Sequence, residues 1–294
     1  MLQCRLKTCS FLQVIFADGL FMHFWCCYGK RLGEFMQLDF KLELVQAYWS
    51  QSQKMRVLTE TWMQENGYCP SCGSRPIGRF ANNQPVADFF CSVCGEQYEL
   101  KSKSRRIGNS IADGAYHTML ERIRSDSNPN FFFLSYNAQQ YTVNRLVLVP
   151  KHFMTADMIV PRNKGLKGRP DYIMCSINLR TLPKHGQIVL LDENGAVSQE
   201  QVLRQWRETL FLRTQRNEAK GWLLAVMKCI DILPPQFTLA QMYAFEAHLQ
   251  SRFPNNHHVK DKIRQQLQIL RDHGIIEFCA RGQYRKTAAS PPAA

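Results

Sequence analysis

Apolar positions between residues 38 and 65 recur at roughly helical spacing, first through Leu42, Leu44, Val45 and Tyr48, then through Val57, Leu58 and Trp62. A polar break at Ser50-Gln51-Ser52 divides them, so two helices are predicted. Helical spacing returns over residues 113–125 and 199–217, whereas 131–136 and 146–149 are short, almost wholly apolar runs. Such runs predict buried strands, with further strands at 173–177 and 187–191. Strands interleaved with helices imply an α/β fold, a mixed sheet with helical cover.

Pro234-Pro235 interrupts the chain before a different rhythm begins. Thr238 can cap a helix running to about residue 253. A second helix over 257–273 places Val259, Ile263, Leu267 and Leu270 on one face, with Gly274 as its stop. Residues 275–279 and 284–286 then alternate as a β-hairpin about a turn at 280–283. Helix, helix and hairpin in that order predict a small winged helix. The expected domains are 36–222 and 223–287, with a disordered tail at 288–294. Residues 1–35 follow neither pattern: Asp18 and His23 interrupt their apolar run, which is too short for a membrane span. The expectation is that translation starts at Met36 and that 1–35 are an extension read in frame.

Composition narrows the partners. The 294 residues carry 37 Lys and Arg against 24 Asp and Glu, a formal net charge of +13, and 45% are hydrophobic. A chain so apolar is neither collagen-like nor wholly disordered, and its basic excess points to a polyanion, with nucleic acid first and an anionic membrane surface as competitor. Eleven cysteines, an odd number, several at apolar positions, argue for a reducing compartment; a cytoplasmic protein with no membrane segment is expected.

Four of those cysteines have a spacing that carries chemistry. Cys69 and Cys72 form one Cys-x-x-Cys knuckle and Cys91 and Cys94 another, a pattern suited to tetrahedral Zn²⁺. Four thiolates leave no open coordination position, so the metal would be structural. Asp88 lies just before the second knuckle, and Glu99 and Lys101 just after it. If 96–102 is a strand, its two-residue period sets Glu99 and Lys101 on one face, and a hairpin tipped by the knuckle folds Asp88 back toward them. Two carboxylates can hold Mg²⁺ to polarise a phosphodiester, with Lys101 activating water or neutralising developing charge. By itself this set is better read as an exposed strand of alternating charge; the basic run Lys103-Ser104-Arg105-Arg106 directly after it, in a basic chain, reverses that preference. Glu60 and Glu65 are further carboxylates on the preceding helix. In the C-terminal unit Arg264, Gln265, Gln268 and Arg271 lie opposite the apolar stripe, with Asn256, His257 and His258 at the end that meets base edges. Arg281, Arg285 and Lys286 on the wing would meet phosphates. A solvated helix face explains the same residues equally well, and winged helices also bind proteins.

Long segments carry a family resemblance. They are Leu42-Glu43-Leu44-Val45, Asn82-Asn83-Gln84-Pro85-Val86-Ala87-Asp88-Phe89, Tyr98-Glu99-Leu100-Lys101-Ser102-Lys103, Asp113-Gly114-Ala115-Tyr116, Asn128-Pro129-Asn130-Phe131-Phe132-Phe133-Leu134 and Lys262 through Asp272. From Met36 to about Lys286 the chain resembles the DpnI-like, Dam-replacing family of methyl-directed restriction endonucleases. The resemblance implies a PD-(D/E)xK nuclease domain plus winged helix, and Mg²⁺-dependent cleavage of double-stranded DNA at GATC methylated on adenine N6. It also implies that both domains read the site and that Asp88, Glu99 and Lys101 are catalytic. In the loop before Ile173 the family enzyme has a Trp, and Tyr172 stands there instead, so an aromatic contact to the methyl group would fall to Tyr172. The rival from another class is a zinc-ribbon plus winged-helix DNA-binding regulator that never cuts. One catalytic set and one reading helix per chain fit a monomer that takes the two strands in turn, although a palindromic target also suits a two-fold pair.

Overall fold

The computed structural model describes residues 36–81, 87–125, 128–163, 168–169 and 172–287. The extension 1–35, the tail 288–294, the motif residues 82–86, and residues 126–127, 164–167 and 170–171 lie outside the described residues.

Helix α1 (Gln51–Asn66) buries Met55, Leu58, Thr59, Trp62 and Met63 on one face. The predicted helix before it is only a 3₁₀ turn, Leu42–Val45. Flanking backbone bonds, Phe40 N–H to the Tyr141 carbonyl at 2.9 Å and Val143 N–H to the Leu38 carbonyl at 2.8 Å, hold the segment extended against the sheet, and Leu42 and Leu44 stay exposed.

Strands β1 (Gly78–Arg79), β2 (Phe89–Phe90) and β3 (Gln97–Ser104) lead into the main sheet. Strand β4 (Ser110–Ala115) and helix α2 (Tyr116–Arg124) follow, then β5 (Asn130–Asn137) and β6 (Thr142–Val149). After β7 (Ile159–Pro161) and β8 (Met174–Asn178) the chain returns to the main sheet with β9 (Ile188–Asp192) and β10 (Gly195–Ala196). The seven-stranded sheet runs β1-β2-β3-β5-β6-β9-β10, and β4-β8-β7 form a separate three-stranded sheet. All main-sheet pairs are antiparallel except β3 with β5. A parallel pair needs a long crossover, and β4 with α2 supplies it.

Strand β5 explains its apolar run. Phe132 and Leu134 pack toward α1 and α3 (Gln199–Thr209), with Trp62 and Trp206; Phe131 and Phe133 face the second core, shared with the C-terminal helices. A strand covered on both faces has no polar side to alternate.

Helix α3 stops at Thr209 and continues as a 3₁₀ stretch, short of the expected 217. Helix α4 (Asn217–Ile232) is almost continuously apolar from Trp222 to Ile230, and residues 222/223, the expected domain boundary, lie inside it. Beyond it come β11 (Gln236–Thr238), α5 (Leu239–Tyr243), α6 (Glu246–Arg252), α7 (Val259–Asp272), β12 (Ile276–Ala280) and β13 (Gln283–Lys286). Thr238 caps α5 in a reciprocal pair with Gln241. Gly274, at φ +69°, turns the chain out of α7. The expected first helix is split into α5 and α6. Trp222 stacks on Phe253 at 4.1 Å and Phe211 on His273 at 4.3 Å, so the winged helix shares a core with the larger domain.

Candidate active site and nucleic-acid interface

The second knuckle forms the tip of the hairpin that carries the carboxylates. In each knuckle, a glycine follows the second cysteine with positive φ, Gly73 at +81° and Gly95 at +74°. Their N–H groups donate to the Cys69 carbonyl at 2.7 Å and the Cys91 carbonyl at 3.0 Å. This tight closure converges the four sulfurs. Cys69 Sγ is 3.5 Å from Cys94 Sγ, Cys72 Sγ is 3.5 Å from Cys91 Sγ, and all four lie within 4.8 Å of one another. Zn–S bonds of about 2.3 Å in a tetrahedron put sulfurs about 3.8 Å apart, so the set can hold a metal such as zinc. Burial works against the Cys91 thiolate, but the Cys94 and Val93 N–H groups outweigh it and bring its pKa to about 7. Burial pushes the Cys69 thiol up.

From the second knuckle the chain returns as β3, paired with β2 in the register Phe89 to Tyr98 and Phe90 to Gln97. Continued by one residue, that register sets Asp88 opposite Glu99, and Asp88 N–H donates to the Tyr98 carbonyl at 3.0 Å. The Asp88 carboxylate accepts the Leu100 N–H at 2.7 Å. Burial raises the Asp88 pKa against that bond, and the Glu60 charge raises it further.

Glu99 and Lys101 point to the same side of β3, where Lys101 Nζ meets Glu99 Oε1 at 2.5 Å. Two further residues enter from elements that the sequence did not connect to them. Asp113 on β4 receives the Lys101 ammonium, and Arg122 on α2 reaches Glu99 Oε2 at 2.9 Å. Side-chain exposures are low throughout: 16% for Lys101, 13% for Glu99, 7% for Asp113 and 18% for Arg122. Burial alone would lower the Lys101 pKa, but the Glu99 and Asp113 carboxylates beside it raise it.

Asp113 was expected to open a helix. It ends up in a strand because residues 110–115 pair with β8, and the helix starts only at Tyr116. The register slips between Asp113 and Ala115, a bulge that aims Asp113 at Lys101. The motif Asp113-Gly114 is the one signal that could have marked it, since glycine is common at bulges. On α1, Glu60 is buried and held by Arg56 at 2.9 Å and by Arg79, close enough to influence Asp88; Glu65 instead pairs with Lys41 at the surface, at 2.6 Å. Beyond Lys101, Lys103, Arg105 and Arg106 are exposed.

Tyr172 is half-buried and abuts the bulge, since a side chain at Gly114 would meet its hydroxyl at 3.9 Å. It therefore lies on the same strand end as Asp113.

The C-terminal residues form a second, separate patch. On α7, Arg264, Gln265, Gln268 and Arg271 are exposed, opposite the buried Val259, Ile263, Leu267 and Leu270. Arg264 pairs with Asp261 and donates to the Tyr243 hydroxyl at 3.1 Å, and Arg271 pairs with Asp272 at 2.8 Å. His257 and His258 are exposed before α7, and Asn256 is half-buried with its side chain accepting the His258 N–H at 2.9 Å. On the wing Arg281 and Arg285 are exposed, Arg285 lying 3.7 Å from Glu277. Lys286 departs from the expected phosphate-facing position. Its ammonium turns inward to the Leu233 carbonyl at 2.5 Å and the Asp231 carbonyl at 3.4 Å, where the C-terminus of α4 attracts a cation.

No helix among the described residues is long and apolar enough to cross a membrane. Residues 36–215 match the model of the Dam-replacing family, and residues 218–286 match that of the Dam-replacing HTH domain. The two matches meet at the start of α4 and between them take in both the carboxylate cluster and α7. The chain belongs to the Dam-replacing family of restriction endonucleases, with a DNA-binding helix-turn-helix domain at its C-terminal end.

Proposed function

We propose that this chain is a Mg²⁺-dependent endonuclease of PD-(D/E)xK type that cleaves double-stranded DNA at GATC methylated on adenine N6. The observation that carries the proposal is the meeting of Asp88, Glu99 and Lys101 on adjoining strands of a basic chain. The donor set fits Mg²⁺, which favours hard carboxylate oxygens and takes only one or two of them from a protein. Glu99 Oε2 also fits: it is buried without a well-formed hydrogen bond. When bound, Mg²⁺ would polarise the scissile phosphate and lower the pKa of an attacking water.

The chain's own residues do the rest. Asp88 is fixed by the Leu100 N–H, so its second oxygen is free to be offered to an ion. Lys101 carries a positive charge into a largely buried site, where it orients water and offsets the charge developing on phosphate. Lys103, Arg105 and Arg106 extend from the same strand and hold the DNA backbone. Cys69, Cys72, Cys91 and Cys94 would hold Zn²⁺, which when bound would brace the β2–β3 hairpin.

Specificity belongs to two surfaces. Tyr172, against the bulge, is our candidate for contact with the adenine methyl group; α7, with Asn256, His257, His258, Arg264, Gln265, Gln268 and Arg271, reads base edges, while Arg281 and Arg285 meet phosphates. Burying one methyl yields only about 0.8 kcal/mol, so two methyls give roughly fifteenfold in binding. Sharper discrimination requires both domains to multiply their preferences, or the unmethylated site to leave a pocket unfilled.

The test uses the full chain with Mg²⁺ and one plasmid prepared with and without adenine methylation at GATC. Fragmentation of the methylated preparation alone is the expected result. Equal cutting of both removes the methyl reading and implicates Tyr172. Methyl-dependent binding without cleavage replaces the proposal with a DNA-binding regulator.

A further inference from the structure

We propose that Asp113 is a positioning residue for Lys101: it keeps the ammonium at the site when a divalent cation takes over the Glu99 carboxylate. This rests on the reading of Asp88 and Glu99 as the metal-binding pair.

Glu99 is crowded by cations on both sides. One of its oxygens faces Lys101 at 2.5 Å and the other faces Arg122 at 2.9 Å, so both are covered by cations. A divalent ion that binds Glu99 must displace at least one of them. The Arg122 contact is the looser, for the buried Glu99 Oε2 has no hydrogen bond although Arg122 Nη1 lies 2.9 Å away. Lys101 also yields, because an ammonium 2.5 Å from Oε1 stands where metal would come. A lysine side chain only 16% exposed cannot simply swing into water, and losing its counter-charge inside the protein is costly.

Asp113 already supplies the second counter-charge. It holds the same ammonium, is the most buried of the four groups at 7%, and comes from β4 rather than from the hairpin that carries Asp88 and Glu99. It is therefore carried by a strand other than the two that would hold the metal. The bulge between Asp113 and Ala115 aims it inward. Lys101 thus has two berths, and release from one leaves it held by the other.

The arrangement predicts a coupling that runs through Lys101. Without the Asp113 charge, Lys101 rests wholly on Glu99 and competes harder with metal. The probe is Mn²⁺, counted by the electron paramagnetic resonance of the free ion, added to the zinc-loaded full chain without DNA. Asp113→Asn is expected to weaken Asp88-dependent Mn²⁺ binding by about tenfold, in the range of outer-shell effects, and Asp113→Glu to restore most of it. In a Lys101→Met background Asp113→Asn should change Mn²⁺ affinity less than about twofold. In cleavage, Asp113→Asn should lower kcat by about 10–100-fold and leave KM for DNA nearly unchanged.

Equal weakening in both backgrounds would make Asp113 a metal ligand and overturn the inference. A lower Tm with unchanged Mn²⁺ affinity would leave it a merely structural carboxylate, with the same consequence. If the wild-type chain shows no Asp88-dependent Mn²⁺ binding, the metal reading itself fails and takes the inference with it. Intact Asp88-dependent binding that Asp113→Asn does not alter removes the inference alone.

Discussion

Two charged regions of this molecule, the cluster at the end of β3 and the outer face of α7, use similar residue types in opposite physical settings. In the first, Glu99, Lys101, Asp113 and Arg122 are mostly buried and each meets an opposite charge across the fold. In the second, Arg264 and Arg271 are exposed and pair with Asp261 and Asp272, neighbours on their own helix. Exposed pairs contribute little and are screened by salt, so they can exchange a carboxylate for a DNA phosphate at small cost. A buried cluster loses much of its support when one member is removed. The first region is thus suited to fixed chemistry at one point, and the second to an adaptable grip on a polyanion.

The largest effect is expected from Asp88→Ala, which should lower cleavage by about 10³-fold, near 4 kcal/mol of transition-state stabilisation. Binding of a labelled methylated duplex, followed by anisotropy, should stay within about threefold, because α7 is untouched. Loss of binding alongside cleavage would show that the two regions are not separable. Next in size is metal removal. A thiol-competing chelator should lower the Tm and abolish cleavage together, since structural Zn²⁺ sites contribute folding energy directly. Recovery on adding Zn²⁺ but not Mg²⁺ checks the assignment.

Buried histidines supply a third contrast with the exposed His257 and His258. Burial, with no ring hydrogen bond, lowers the His152 pKa to about 3, and burial lowers His185 to about 4. Both are neutral when folded and near 6.5 when unfolded, so the unfolded chain binds more protons between these values. Their contribution is complete above pH 6.5 and is lost as pH falls toward 4 and then 3, by up to about 1.4 kcal/mol per pH unit for each. Denaturant unfolding of His152→Leu across pH 4–7 should show a shallower pH slope than the wild type; an unchanged slope would exclude the buried neutral state. The smallest effect is expected on the α7 face. Arg264→Ala should weaken DNA binding several-fold and reduce the slope of log affinity against log salt by about 1 if it meets phosphate, or relax base preference at one position if it meets a base.

Much of this was legible along the chain. Cys-x-x-Cys spacing, the alternation of Glu99 and Lys101 about Leu100, and the apolar stripe of α7 are periodic or local signals, and the structure carries all three. Asp113 and Arg122 were not legible as site residues, because what brings them to Glu99 and Lys101 is a strand pairing with β8 and a crossover helix. Residues 113–125 have helical spacing, and no local rule says that a partner strand will claim the first three of them. The inward turn of Lys286 was not legible for a related reason. Alternation along a wing predicts which side chains share a face, but the turn toward the α4 C-terminus depends on where that helix ends.

Spacing over a few turns of backbone is enough to read the two Cys-x-x-Cys knuckles, the strand that follows them and the winged-helix order, and the long motifs from Met36 to Lys286 carry the family resemblance. Long-range packing decided which carboxylates and cations share one buried space, that Glu60 is buried while Glu65 stays at the surface, and that the two domains share a core. Those outcomes depend on contacts between residues far apart in the chain, where burial sets how strongly charges interact and no local period records which of them will meet.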